Sequence, residues 1–104
     1  MKQVRIVISE IAAADIIEQS EWYEAQSGAK LAKRWEKAST TSVLRIAKSP
    51  ESGTPCHFQS SELADVRRTA IGGFPKHLIF YRVSEQAVCI LRVVHGARDL
   101  EKLL

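Results

Sequence analysis

A chain of 104 residues and 11.6 kDa has room for one domain, 1–104, with one modest core, which excludes a two-domain enzyme with a large interior cleft. Hydrophobic residues at 45% and charged residues at 26% are ordinary globular values and argue against disorder. The balance of 15 Lys and Arg against 12 Asp and Glu leaves a net charge of +3, too weakly basic to establish nucleic-acid binding by itself.

Cys56 and Cys89 do not make a disulfide framework, so a reduced, cytoplasmic protein is expected. The start, Met1-Lys2-Gln3-Val4-Arg5, lacks the apolar run of a signal peptide. The longest uncharged stretch, Ser52–Ser61, is polar, so no membrane span is expected.

Val4, Ile6 and Ile8 alternate with Arg5 and Val7 and predict a short strand. Ser9 suits an N-cap, and Glu10 suits the first turn of a helix that runs without Pro or Gly to Gln26. Ala13, Ile16, Ser20 and Tyr23 share one face of it, with Ala12 and Ile17 beside them. Gly28 is the expected stop. A second helix follows to about Lys48, with Leu31, Trp35, Ala38, Ser42 and Ile46 on one stripe, flanked by Ala32 and Val43. Pro50 closes it. Two long helices with so short a joint fold back as an antiparallel hairpin.

Charge divides between the helices. Residues 10–29 carry Glu10, Asp15, Glu18, Glu21 and Glu24 with no Lys or Arg; residues 30–48 carry Lys30, Lys33, Arg34, Lys37, Arg45 and Lys48 against Glu36 alone. The expected outcome is attraction across the hairpin between solvated faces. Trp22, Tyr23 and Trp35 are expected to pack between the helices and in the core.

Residues 49–65, punctuated by Pro50, Gly53 and Pro55, read as a loop with a short helical turn near Ser60–Ala64. Strands are predicted at Val66–Ile71, Lys76–Val83 and Val88–His95, joined by a Gly72-Gly73-Phe74-Pro75 turn and a tight Ser84–Ala87 hairpin. Residues Gly96–Leu104 form a tail with one short turn. The order βααβββ predicts an α+β fold with the helix hairpin packed on one face of a mainly antiparallel sheet.

With Glu85 and Gln86 as turn residues, Val83 faces Val88 and Tyr81 faces Ile90. One sheet face then holds Leu78, Phe80, Cys89, Leu91 and Val93, and the other holds Ile79, Tyr81, Val83, Val88, Ile90 and Val94. Both are apolar, yet one hairpin covers one face. The second face is therefore expected to be a partner surface, with Ile79, Tyr81, Val83, Val88 and Ile90 as its residues, or their opposite-face neighbours if the register slips by one.

His57, His77 and His95 have no local metal-ligand spacing, so no metal site and no cofactor are expected. Cys56-His57 adjacency is poor geometry for a nucleophile and its base. Arg67, Arg68, Lys76, Arg82, Arg92 and Arg98 give the β half a basic cluster with Glu85 as the one acid between Arg67 and Arg98. Such a cluster suits phosphate or the acidic residues of a partner protein, and sequence alone leaves both uses open.

Several segments together resemble the ParE branch of the RelE/ParE toxin superfamily. They are Ala14-Asp15-Ile16 and Trp22-Tyr23, Ser49-Pro50-Glu51-Ser52-Gly53, Val66-Arg67-Arg68, Gly72-Gly73-Phe74-Pro75, Leu78–Val83 and Ile90–Asp99, the last ending His95-Gly96-Ala97-Arg98-Asp99. The resemblance implies the toxin of a type II toxin–antitoxin pair, plasmid-stabilising in kind, held by an antitoxin whose C-terminal segment wraps it. For ParE-like members it implies DNA gyrase as the target, no catalytic residues, and no specific nucleic-acid binding. Arg67, Arg68, Arg92, His95 and Arg98 are the target-binding candidates. RelE-like members are instead ribosome-dependent mRNA endoribonucleases. They often carry an Arg at the strand position that resembles Leu78 and a Tyr or basic cluster in the tail; the tail here lacks an aromatic residue. If the chain is a nuclease, His77, His95 and Arg98 are the candidates. A third alternative is an inactive relative that only binds antitoxin.

Overall fold

The computed structural model describes residues 4–96 and 100–104. Strand β1 (Arg5–Ile8) leads into α1 (Glu10–Ser27) and α2 (Ala29–Lys48), and the remaining strands are β2 (Thr54–Pro55), β3 (Arg67–Ile71), β4 (Phe74–Val83) and β5 (Ala87–His95). A last turn of helix, α3, spans Leu100–Leu103. The five strands form one sheet in the order β1-β5-β4-β3-β2, antiparallel except where β1 runs parallel to β5. The two long helices lie on one face of it. This is the expected α+β layout, extended by a two-residue β2 and a 3-10 turn at Pro50–Ser52. The expected turn near Ser60–Ala64 is a 3-10 turn at Ser61–Leu63.

Local chemistry sets the hairpin. Ser9 accepts from the Ala12 N–H at 3.0 Å, and Gly28 turns the chain at φ 92°, a left-handed backbone that favours glycine. Trp35, fully buried, donates its indole N–H to the Ile16 carbonyl at 2.9 Å and so locks one helix to the other. Ala32, Trp35, Ser42, Val43 and Ile46 are buried from α2, as its periodicity predicts; Ser39 joins them, while Leu31 and Ala38 are half-buried. On α1 the reading is less good. Ala12 and Ser20 are buried, but Ile17 and Trp22 are 57% and 56% exposed. Trp22 and Tyr23 are neighbours about 100° apart around the helix, so only Tyr23 turns to the core.

The two apolar sheet faces are real, but their covers differ from expectation. Ile79, Tyr81, Val88 and Ile90 have no exposed surface and lie under the helices with Trp35, Ile46, Ile71 and Val93; Val83 packs at their margin. Ile79, Tyr81, Val88 and Ile90 are therefore core, and their assignment to an antitoxin surface is corrected; Val83 is half-buried at the edge. The opposite face is not bare either. Phe80, Val66, Cys56 and Val94 are buried there, with Phe58, Leu63, Leu78, Leu91 and Leu104 packed against them. The Glu101 carboxylate accepts the Gln59 and Ser60 N–H groups at 3.1 and 2.9 Å, tying the end of the chain to the loop that covers this face.

The register holds from Val83↔Val88 to Tyr81↔Ile90, then slips, because Phe80 pairs with Arg92 and leaves Leu91 in a bulge. The extra residue moves Val93 to the helix face and Val94 to the other, the reverse of the sequence reading. Phe74 and Pro75, read as turn, begin β4 instead.

Candidate functional site

The edge of β5 carries the first feature. β1 pairs with β5 only as far as Ile8↔Ile90. Beyond that point the N-cap Ser9 and α1 supply the partners. Ser9 donates its hydroxyl to the Leu91 carbonyl at 2.9 Å, and Asp15 accepts the Val93 N–H at 2.9 Å. The same carboxylate takes the Arg92 guanidinium in a bidentate pair, both bonds at 2.9 Å. The side chains are only 16% and 11% exposed. The hydrogen bond to Asp15 holds the Arg92 guanidinium above its ordinary range, against the opposing effect of burial.

Past Asp15 a cleft of about 730 Å³ opens between α1, the β3–β4 turn and the end of β5. Tyr23 and Trp22 wall it on one side; His77 and His95 wall it on the other. The histidines are cross-strand partners with ring centroids 5.6 Å apart in an edge-on arrangement. The Tyr23 hydroxyl and His77 Nε2 are hydrogen-bonded at 3.2 Å. Burial lowers the pKa of His77, and the neighbouring His95 lowers it further, so the ring stays neutral at neutral pH. A neutral imidazole bonded to a phenol can take or relay a proton. The sequence pointed to both histidines but gave Tyr23 to packing ahead of ligand contact; its hydroxyl reaches His77 only through the packing of α1 against β4, which no local signal marks.

The remaining candidates do not converge. Arg67 donates to the Glu51 and Gly53 carbonyls at 3.1 and 2.8 Å and so holds the Pro50–Ser52 turn. Arg68 is exposed on β3 and lies beside Cys56, whose thiol burial pushes up while Arg68 partly offsets the effect. Arg82 pairs with Asp65 at 3.0 Å. Arg92 is engaged by Asp15, and His95 belongs to the cleft. Arg98 lies outside the described residues. Leu78 packs in the apolar cluster of Phe80 and Val94. Among the described residues, no three His, Cys, Asp or Glu side chains are grouped as a metal site, and no helix is long and apolar enough to cross a membrane.

The model of the ParE toxin of type II toxin-antitoxin systems (parDE) matches residues 6–100. The chain belongs to the ParE toxin family. An antitoxin is thereby implied as its partner. Solved structures that share the fold of this ParE chain include the following two. One, described as a chromosomal ParDE toxin–antitoxin system from P. aeruginosa, superposes with a TM-score of 0.74 at 17% identity, covering 89% of this chain and 96% of the other. The second, described as a YoeB/ParE toxin from Agrobacterium tumefaciens, gives 0.56 at 14% identity, covering 88% and 98%. No curated protein matches the sequence.

Proposed function

We propose that this ParE-family toxin arrests DNA replication by binding DNA gyrase, that it does so without catalysing a reaction of its own, and that a cognate antitoxin neutralises it. The observation that carries the non-enzymatic reading is the engagement of three sheet arginines, Arg67, Arg82 and Arg92, while the exposed Arg68 does not line the histidine cleft. Cleavage of RNA by 2′-hydroxyl attack needs a cation on the scissile phosphate. Arg92 is bidentate to Asp15, Arg67 is bound to loop carbonyls, Arg82 is paired with Asp65, and Leu78 offers an apolar side chain. Gyrase as the target rests on family membership. We place the antitoxin surface outside Ile79, Tyr81, Val88 and Ile90, because these four side chains are fully buried under the helices.

Purified toxin is expected to inhibit gyrase supercoiling of a relaxed plasmid and to leave mRNA intact in a translating ribosome system. Codon-specific cuts in the ribosomal A site, lost on His95→Ala or Arg98→Ala, would replace this reading with a RelE-like endoribonuclease. One observation favours that second reading: Tyr23, His77 and His95 share a cleft with Lys76, which together offer a proton donor, a proton acceptor and a cation. Expression of the chain alone separates both from an inactive antitoxin-binding relative, which would leave growth unchanged.

A further inference from the structure

The opposite charges of the two helices do not neutralise one another. The hairpin's cross-helix polar contact at its single α2 acid is Ser20 donating to Glu36, not an ion pair. Lys30, Lys33, Arg34, Lys37, Arg45 and Lys48 are all exposed, and none has an acidic partner among the described residues. At about 100° per residue these six project into one arc of about 120°, opposite the buried Trp35, Ser39 and Ile46. The stripe runs the length of α2, roughly 27 Å from Lys30 to Lys48 at ~1.5 Å per residue.

The stripe is not flat. Where α2 meets the Gly72-Gly73 turn, a concavity of about 240 Å³ is lined by Arg34, Lys37, Thr41, Arg45 and the two glycines. The turn is clamped there: the Gly72 N–H donates to the Ser42 hydroxyl at 3.2 Å, and Arg45 donates to the Ala70 carbonyl at 3.4 Å. Gly73 stands at φ 83° with open space where a side chain would project, so nothing roofs the turn. The position around the helix matters as well. Glu36 points at α1, so Arg34 and Arg45, on the other side of α2, face away from the acidic helix. An anion approaching from this flank meets three cations and a hydroxyl before it meets α1.

We propose that this flank of α2 is a phosphate-binding surface that docks on the backbone of duplex DNA without reading its sequence, with the Arg34–Lys37–Arg45 concavity as its principal phosphate seat. A peptide ligand is disfavoured because protein interfaces need an apolar centre, and the stripe offers Leu44 as its one large exposed apolar side chain. Single strands are disfavoured because they bind through aromatic stacking: Trp35 of α2 is buried, and the Phe74 ring that borders the concavity is half-buried and packed against Tyr23 and Trp35. The proposal concerns the toxin alone and does not depend on the identity of its cellular target.

The test is fluorescence anisotropy of a labelled mixed-sequence duplex with the purified full chain across a salt series. Binding is expected to weaken with salt, log K falling against log salt with a slope of about −0.9 per phosphate engaged. The triple variant Arg34→Ala, Lys37→Ala, Arg45→Ala should keep its circular dichroism spectrum, lose about tenfold or more in affinity at low salt, and flatten the slope by about 3. A control that changes the charge by two elsewhere, Arg5→Glu on the exposed face of β1, should stay within about threefold of the parent. The proposal is overturned if the duplex does not bind, or if the folded triple variant binds like the parent. It is equally overturned if the control loses as much, or if poly-glutamate, single-stranded RNA or pyrophosphate competes as well as duplex DNA at equal charge.

Discussion

Gly53 and Tyr81 explain at the level of single residues why the Ser49–Gly53 segment reads as a motif. The Gly53 N–H donates to the Tyr81 hydroxyl at 2.9 Å, and that hydroxyl donates to the Pro50 carbonyl at 2.8 Å. A Cβ on Gly53 would stand 2.2 Å from the Tyr81 oxygen, so the close approach itself requires glycine. The buried phenol thus has both of its hydrogen-bonding roles met inside the core. His77 carries the residue-scale prediction. Its pKa is lowered in the fold by burial and then by His95. The unfolded chain therefore takes up that proton first as pH falls through the ordinary imidazole range near ~6.5, and the folded state loses stability below it. Above that range the ring is neutral in both states and the contribution is flat. Thermal melts between about pH 7.5 and 5 should show a falling midpoint, with a shallower fall in His77→Gln. Equal slopes in parent and variant would mean that His77 does not resist protonation in the fold.

At the scale of elements, the sheet edge is the telling feature. A strand edge left open is a template for unwanted pairing. Here β1 covers the first half of β5, and the N-cap Ser9 and Asp15 of α1 cover the continuation. The bulge at Leu91 lies where one cover hands over to the other. Asp15 therefore has three tasks: it caps Val93, anchors Arg92 and fixes α1 against the sheet. Asp15→Ala removes the carboxylate from a largely buried pair and is expected to cost ~3–5 kcal/mol in urea unfolding. Asp15→Asn, which keeps an acceptor for Val93, should cost less, and the Val93 amide should exchange faster in the Ala variant than in the Asn variant. A loss below ~1 kcal/mol for Asp15→Ala would place the pair among weak surface bridges.

For the whole molecule, the sheet is a shared wall between two cores. The larger lies under the helix hairpin, and the smaller lies under residues 56–66 and Leu104. Ile90 has no exposed surface and sits in the centre of the larger one. Ile90→Asp buries a carboxyl without a partner, either charged or forced to protonate, a cost of several kcal/mol set against the ~5–15 kcal/mol holding a typical domain together. The variant is expected to be unfolded by near-ultraviolet circular dichroism. A natively folded Ile90→Asp protein that had lost antitoxin binding would instead return this face to the surface.

Elements were legible in the sequence because their signals are local. Ser9, Gly28 and Pro50 mark the helix ends, α2 shows its buried stripe, and period-two segments mark the β half; the observed bounds agree to within a residue or two. The segments that resemble ParE are local in the same sense, and the family match over residues 6–100 agrees with them. What the chain could not declare from its own order was which surfaces meet. A one-residue bulge decides which of Val93 and Val94 enters the main core, and it follows from strand pairing rather than from hydropathy. The cover over Phe80 comes from a loop of ordinary loop composition closed by Glu101, about forty residues further on. The arginines look like one basic cluster in the sequence, and only tertiary packing separates them, giving Arg92 to Asp15, Arg67 to loop carbonyls and Arg82 to Asp65. The cations of α2 keep their charge exposed because the hairpin turns them away from α1, and that direction is set by which side of the helix the sheet takes.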